Sequence, residues 1–175
     1  MVTRIRRYAQ IVDVLSKYGF GLGIERIFPG KTWFHVPVTG KSPDTSTIYE
    51  RIRFALEELG PTFVKFGQIA STRTEMLPPE LIDELKKLQD HANPLPFSEI
   101  RAVLEENCPD LDEWFCEIDE KPVASASLAQ VHAAVLKNGT RVALKIQRPG
   151  IVEIIETDIG VLQSLVERIE TVFPE

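Results

Sequence analysis

The sequence has few cysteines, no long apolar run and no excess of basic residues, and each shortage excludes a class of protein. Its 175 residues include two cysteines, Cys108 and Cys116, with no histidine at metal-ligand spacing. This pattern argues against a disulfide framework or a zinc site and indicates free thiols in a reducing compartment. No apolar run approaches the roughly 18 residues that a membrane-spanning helix requires, and no secretory signal is visible. We therefore expect a cytoplasmic protein. Any contact with a membrane is expected to be peripheral.

The net charge is acidic and unevenly distributed. The chain has 20 Lys and Arg against 26 Asp and Glu, and six of the basic residues but only two of the acidic ones lie in residues 1–40. The remaining 14 basic and 24 acidic residues argue against binding of nucleic acid. At the N-terminus, Ile5, Tyr8, Val12 and Leu15 share one helical face beside basic residues. Two placements are open for this helix: an anionic membrane surface, or the body of the protein.

The pattern along the chain predicts three segments: a basic amphipathic helix and linker at 1–46, a helical part at 47–110, and strands followed by a helix at 111–175. Thr47 and Glu50 form a capping-box pattern that opens a helix. Ser98 is predicted to cap a helix that ends at Asn107. A short strand is expected near 115–118, and the apolar spacing from 151 to 169 predicts one long helix.

The most informative stretch starts at Ala124. A protein-kinase G-x-G-x-x-G-x-V loop covers the phosphates of ATP, and a V-A-I-K lysine pairs with them. Here alanine occupies each glycine position of that motif, at Ala124, Ala126 and Ala129, and Val131 occupies the valine position. The segment from Val142 to Lys145 corresponds to V-A-I-K. The loop comprises Ala124, Ser125, Ala126, Ser127, Leu128, Ala129, Gln130 and Val131.

The turn between the two strands decides which side chains share a face. Asn138-Gly139 is a hairpin signal, and a three-residue turn with left-handed Gly139 would pair Leu136 with Thr140. Val131 then lies opposite Lys145. With Ala133 and Ala143, these two residues would form a shallow face that admits a purine ring. A two-residue turn would place Val131 on the other face, and an ordinary half-exposed hairpin would let the lysine extend to water.

A second cluster of polar residues lies upstream, in Lys65-Phe66-Gly67-Gln68. Pro61 can be the first residue of a helix, and Lys65 and Gln68 then lie on one face because they are three positions apart. Glycine inside a helix costs about 1 kcal/mol relative to alanine, so close packing against Gly67 is expected. A solvated polar stripe is the alternative explanation of Lys65 and Gln68.

Together these motifs resemble the UbiB family of atypical, protein-kinase-like proteins, which is associated with isoprenoid quinone biosynthesis. The hallmark K-x-G-Q is Lys65 to Gln68, set in L-G-P-T-F-x-K-x-G-Q-x-x-S-T-R and followed by L-P-P-E. The alanine-rich A-A-A-S loop, the V-A-x-K lysine and Gln147-Arg148-Pro149-Gly150 complete the match. One position departs from the family pattern: Ser125 replaces the middle alanine of A-A-A-S.

The resemblance implies an α+β fold, namely a protein-kinase-like N-lobe of antiparallel strands with a helical N-terminal extension, truncated before the C-lobe. It implies binding of ATP with Mg²⁺, whose ligands are expected outside this chain. Lys145 would pair with the phosphates, Lys65 would reach the active site, and Gln68 would anchor the inserted helix. Loop residues 124–131, together with Ala143 and Lys145, would contact the nucleotide.

The function implied for the complete protein is that of an atypical kinase or ATPase supporting isoprenoid quinone or other lipid metabolism. This chain alone is expected to be inactive, because no catalytic-loop residue or D-F-G aspartate has a candidate in it. Asp158-Ile159-Gly160 mimics D-x-G, but it follows Lys145 too closely and lies inside the predicted helix. The expected partners are a nucleotide and an isoprenoid or quinone-precursor lipid. The alternative function is a non-catalytic helical module that binds an isoprenoid lipid or a membrane-associated complex.

Overall fold

A computed structural model of the chain describes residues 4–21, 46–88 and 92–172. It confirms the α+β class, because helices are combined with an antiparallel sheet. Contacts group the chain into two compact units: a helical unit, residues 1–89 and 154–175, and a sheet unit, residues 90–153. The boundaries of these two units differ from those of the three segments predicted from the sequence. The three-segment division stays a prediction.

The helices follow the local signals of the sequence. They are α1 (Arg4–Leu15), α2 (Ile48–Leu59), α3 (Pro61–Ala70), α4 (Pro79–Leu85), α5 (Phe97–Asn107), α6 (Leu111–Trp114) and α7 (Ile151–Val172). The predicted capping box of α2 is present, because the Thr47 hydroxyl accepts from the Glu50 N–H and the Glu50 carboxylate accepts from the Thr47 N–H. The predicted Ser98 cap is wrong: α5 begins at Phe97, after Pro96, whose fixed φ already suits a helix start.

The core of the helical unit forms between α1, α2, α3 and α7. Its buried apolar residues are Ile11, Val14, Ala55, Leu59, Phe63 and Val161. The long apolar spacing at the end of the chain forms one helix, as predicted, and α1 packs against the body of its unit. After α1, a helical turn at Ser16–Phe20 contains Gly19 with a φ of +87°. This left-handed conformation interrupts the helix, because it is cheap only for glycine.

Three of the four apolar residues predicted on one face of α1 are at least partly buried: Val12 is in the interior, and Tyr8 and Leu15 pack against the core cluster. Ile5 is the exception at 72% exposed, and α1 also buries Arg7. Arg7 is buried because it forms an ion pair with Asp158, 151 positions further along the chain. Arg7 Nε donates to Asp158 Oδ1 at 2.5 Å, and an Arg7 terminal nitrogen donates to Asp158 Oδ2 at 3.0 Å. That pair turns an arginine inward, and periodicity of apolar residues cannot show it.

A second apolar cluster surrounds Gly67, as the sequence predicted. It consists of Val64, Leu85 and Leu88 with partly buried neighbours. A Cβ on Gly67 would lie 2.9 Å from a methyl carbon of Leu56, 3.4 Å from one of Leu85 and closer still to one of Leu88. The glycine therefore lets α3 approach α2 and α4 more closely than any larger residue would.

The described residues of the sheet unit form four strands, β1 (Phe115–Ile118), β2 (Ala124–Ser125), β3 (Ala129–Leu136) and β4 (Arg141–Gln147). β3 is central: β1 and β2 pair with it along one edge and β4 along the other, all antiparallel. The strand predicted at 115–118 is thus present. Among the described residues, no helix is long and apolar enough to cross a membrane.

Candidate functional site

The β3–β4 hairpin has the predicted three-residue turn. The Leu136 N–H donates to the Thr140 carbonyl at 2.9 Å, and Gly139 has a φ of +84°. In the resulting register Val131 is paired with Lys145. Directly paired residues of an antiparallel ladder point to the same face, so the predicted shared face is confirmed.

Three strands contribute to one row of side chains on this face. Val131 is paired with Ala124 on one side and with Lys145 on the other. Ala133 is paired with Ala143 in the next row of the same face. Since neighbouring strands lie about 4.8 Å apart, the Cα atoms of Ala124 and Lys145 are separated by roughly 10 Å. The row joins the start of the alanine loop to the lysine.

This open face is small, apolar and basic at one edge. Ala143 and Lys145 are exposed, and Val131 and Ala133 are half-buried. Among the described residues, no carboxylate forms an ion pair with the Lys145 ammonium. An exposed ammonium beside a shallow apolar surface suits a ligand that has a flat ring and an anionic group.

The adjacent row points the other way and is buried. Ser125, Gln130 and Ile146 are paired across the same three strands. Gln130 is fully buried, and its side chain bonds to both backbone groups of Leu95, at 2.9 and 3.3 Å. Gln130, predicted to contact a cofactor, therefore faces away from Lys145 in this structure and fastens the segment before α5 to the sheet.

His132, on the same buried face, has a structural role. Its Nδ1 lies 2.7 Å from the carbonyl oxygen of Asp119 and its Nε2 lies 3.0 Å from Nε2 of Gln130. A carbonyl oxygen only accepts, so Nδ1 carries the proton and Nε2 accepts from the glutamine amide. Both ring nitrogens are thereby satisfied within the protein.

The alanine loop closes in a tight turn between β2 and β3. The Ala126 N–H donates to the Ala129 carbonyl at 2.8 Å. Arg148, which was not among the predicted site residues, donates from Nε to the Ala126 carbonyl at 2.8 Å and from a terminal nitrogen to Ser125 Oγ at 2.8 Å. Its signal in the sequence is its place in the family motif Gln147-Arg148-Pro149-Gly150, directly after β4.

The two predicted K-x-G-Q residues contact each other in the helical unit. Lys65 Nζ donates to the Gln68 side-chain oxygen at 3.3 Å, and Gln68 Nε2 donates to the Leu88 carbonyl at 3.2 Å. The shared face of Lys65 and Gln68 is thus confirmed. Gln68 also fastens α3 to the end of the turn after α4.

The D-x-G sequence at Asp158 lies within α7, as predicted. Asp158 is completely buried and both of its oxygens accept from Arg7. Across the described ranges there is no group of three or more His, Cys, Asp or Glu that could hold a metal ion.

A loop, a central strand and a lysine-bearing strand in this register form a hairpin of the kind found in a kinase-like N-lobe. Residues 87–175, about half of the chain, match the family model of the ABC1 atypical kinase-like domain. The chain belongs to this family of atypical kinase-like proteins, which includes the UbiB proteins. The resemblance inferred from the motifs is thereby confirmed.

Curated relatives extend the match to nearly the whole chain. An uncharacterised protein encoded in the hydrogenase 1 5' region of Clostridium pasteurianum is 42% identical over 172 residues, 98% of this chain and 30% of that protein. Probable protein kinase UbiB of Aliivibrio fischeri is 38% identical over 99% of this chain and 31% of its own length. The counterpart of Marinobacter nauticus is 46% identical over 72% of this chain.

The chain thus spans less than a third of the length of these relatives. A solved structure, the complex of Rv3197 with erythromycin from Mycobacterium tuberculosis, is 35% identical and covers 68% of this chain, with a TM-score of 0.45.

Proposed function

We propose that this chain is the nucleotide-binding N-terminal part of an atypical kinase or ATPase of the UbiB type. The row Ala124, Val131 and Lys145 carries this proposal, because it places an exposed ammonium beside an alanine loop and a small apolar face. In a kinase-like site, a lysine on this strand pairs with the phosphates of ATP. A role in isoprenoid quinone or other lipid metabolism follows from the family resemblance.

The residues present fit a nucleotide but supply only part of a catalytic site. Lys145 would hold the phosphates, and Val131, Ala133 and Ala143 would cover the purine ring. Lys65 is proposed to reach the active site of the complete protein, with Gln68 anchoring its helix. Bound Mg²⁺ would neutralise phosphate charge, and we place its ligands outside this chain.

The proposal is tested by calorimetric titration of the complete protein with Mg-ATP. A charge-assisted contact with phosphate is typically worth about 1.5 to 3 kcal/mol, so Lys145→Ala should weaken binding by roughly 10- to 100-fold. Lys137→Ala is the matched control, since Lys137 is an exposed lysine in the turn of the same hairpin. Its isotherm should equal that of the wild type. Equal isotherms for Lys145→Ala and wild type, both folded, would contradict the proposal.

One observation favours the second candidate, a helical module that binds an isoprenoid lipid or a membrane-associated complex. Phe66 and Ile69, one turn apart on α3, are 64% and 55% exposed. Neighbouring exposed apolar side chains often mark a binding surface. If Lys145→Ala leaves nucleotide binding unchanged while Phe66→Ser reduces cosedimentation with isoprenoid-containing vesicles, this second function is favoured.

A further inference from the structure

Arg148 holds the alanine loop through several hydrogen bonds. Its guanidinium donates to the Ala126 carbonyl, to Ser125 Oγ and to the Asn93 carbonyl, each at 2.8 Å, and its backbone N–H donates to the Leu128 carbonyl at 3.0 Å. Two loop residues and the segment before α5 therefore converge on one half-buried side chain, and a third loop residue bonds to its backbone. Such a planar set of donors is specific to arginine.

The guanidinium approaches the loop from the face opposite Lys145. Ser125 is paired with Gln130, whose side chain is on the buried face, and the Ser125 hydroxyl lies 3.5 Å from the Gln130 side-chain oxygen. Arg148 follows Ile146 by two positions, which places it on this same face if the strand alternation continues. The hydroxyl that departs from the family's A-A-A-S pattern is thus directed to Arg148.

This contact also sets the direction of a loop peptide. The Ala126 carbonyl points at the guanidinium, and in a trans peptide the N–H points opposite to the carbonyl. The N–H end of the Ala126–Ser127 peptide therefore points away from Arg148. The contact with Arg148 thus fixes how this loop peptide is oriented.

We infer that Arg148 is a positioning residue of the nucleotide loop, and that Ser125 tunes nucleotide affinity through Arg148 rather than by touching phosphate. The inference rests on the proposed nucleotide-binding function. Alanine in the glycine positions leaves a loop that does not reach positive φ cheaply. A fixed partner beneath the loop then determines how closely its backbone approaches a phosphate.

The test compares Arg148→Met, Arg148→Lys and Ser125→Ala with wild type in the complete protein. Arg101→Met is the matched control, because Arg101 is an exposed arginine of the same unit that pairs with Glu105. Amide hydrogen exchange at residues 124–130 is measured without nucleotide, and Mg-ATP affinity is measured by calorimetry. Circular dichroism shows whether each variant is folded.

Loss of several charge-assisted hydrogen bonds should speed loop exchange and weaken Mg-ATP binding by about tenfold or more in Arg148→Met. Ser125→Ala removes one bond and should change both quantities by about two- to fivefold. Arg148→Lys should fall between these variants, and Arg101→Met should match wild type. The smaller variants keep the inference testable if Arg148→Met does not fold.

Two results would overturn the inference. Unchanged loop exchange in folded Arg148→Lys and Arg148→Met would show that Arg148 does not hold the loop. Faster exchange with unaltered Mg-ATP affinity would show that holding the loop does not position it for nucleotide. Failure of the proposed function would be recognised differently. The wild type itself would then give no heat on titration with Mg-ATP, while amide exchange would still show whether Arg148 holds the loop.

Discussion

The buried ion pair between Arg7 and Asp158 gives the sharpest prediction about stability. Asp158→Asn keeps the shape of the side chain but removes its charge, so that a buried guanidinium loses its counter-ion. Asp158 is 0% exposed, and the two ion-pair hydrogen bonds measure 2.5 and 3.0 Å. Breaking a buried ion pair by changing one partner costs about 3 to 5 kcal/mol.

We expect the lower end of this range, about 3 kcal/mol, because Arg7 keeps two other partners. An Arg7 terminal nitrogen donates to the Leu59 carbonyl at 2.7 Å, and the other donates to the Gln10 side-chain oxygen at 2.8 Å. For a domain of about 150–250 residues, each kcal/mol shifts the unfolding temperature by about 2–4 °C. Asp158→Asn should therefore lower the unfolding temperature of this 175-residue chain by about 6–12 °C.

Scanning calorimetry of the 175-residue chain measures this shift. The control is Asp83→Asn, because Asp83 forms a surface pair with Lys86 at 3.5 Å and its side chain is 73% exposed. That variant should change stability by less than about 0.5 kcal/mol. Equal unfolding temperatures for the two variants would refute the structural role of Asp158. Replacing both partners by Met and Leu should recover part of the loss, because no unpaired charge then stays buried.

Two further predictions concern the helical unit. Gly67→Ala should destabilise the protein by about 1 kcal/mol, because overpacking against Leu56 and its neighbours costs about 1–3 kcal/mol. This cost outweighs a helix-propensity gain of about 1 kcal/mol, and urea unfolding that shows a stabilised variant would contradict the prediction. Hydrogen bonds from Lys17 and Tyr18 lower the pKa of Glu58 in the folded protein. The contribution of ionised Glu58 to folding stability is therefore fully present above the unfolded pKa of about 4.3, and it is lost as the pH falls through the lower folded pKa. Thermal unfolding from about pH 6 to about pH 3 should therefore depend less on pH in Glu58→Gln than in wild type, and equal pH dependence would count against the assignment.

Local sequence signals were sufficient where neighbouring residues decide the conformation. The capping box of α2 was predictable because Thr47 and Glu50 satisfy each other's backbone within one turn. The register of β3 and β4 was predictable because the turn at Gly139 selects one pairing. That register alone places Val131 and Lys145 on one face, so the core of the candidate site was already present in the pattern of the chain.

At the start of α5 one local signal outweighed another: Ser98 is a good capping residue, yet Pro96, two positions earlier, starts the helix. Local signals were insufficient where a distant partner decides. Ile5 has the right spacing for a buried face of α1, yet Arg7 is turned inward by a carboxylate 151 positions away. Gln130 fits the loop motif by position, but its side chain bonds to Leu95 on the buried face.

By itself, the sequence determined the family, the elements and the hairpin face of Lys145, because these depend on short-range spacing and on motifs that keep their order along the chain. Only the tertiary structure decided how Arg148 holds the loop and how Asp158 is paired. Each of these contacts joins residues more than 20 positions apart. A charged side chain can satisfy its hydrogen bonds with many possible partners, and folding alone brings one set within reach.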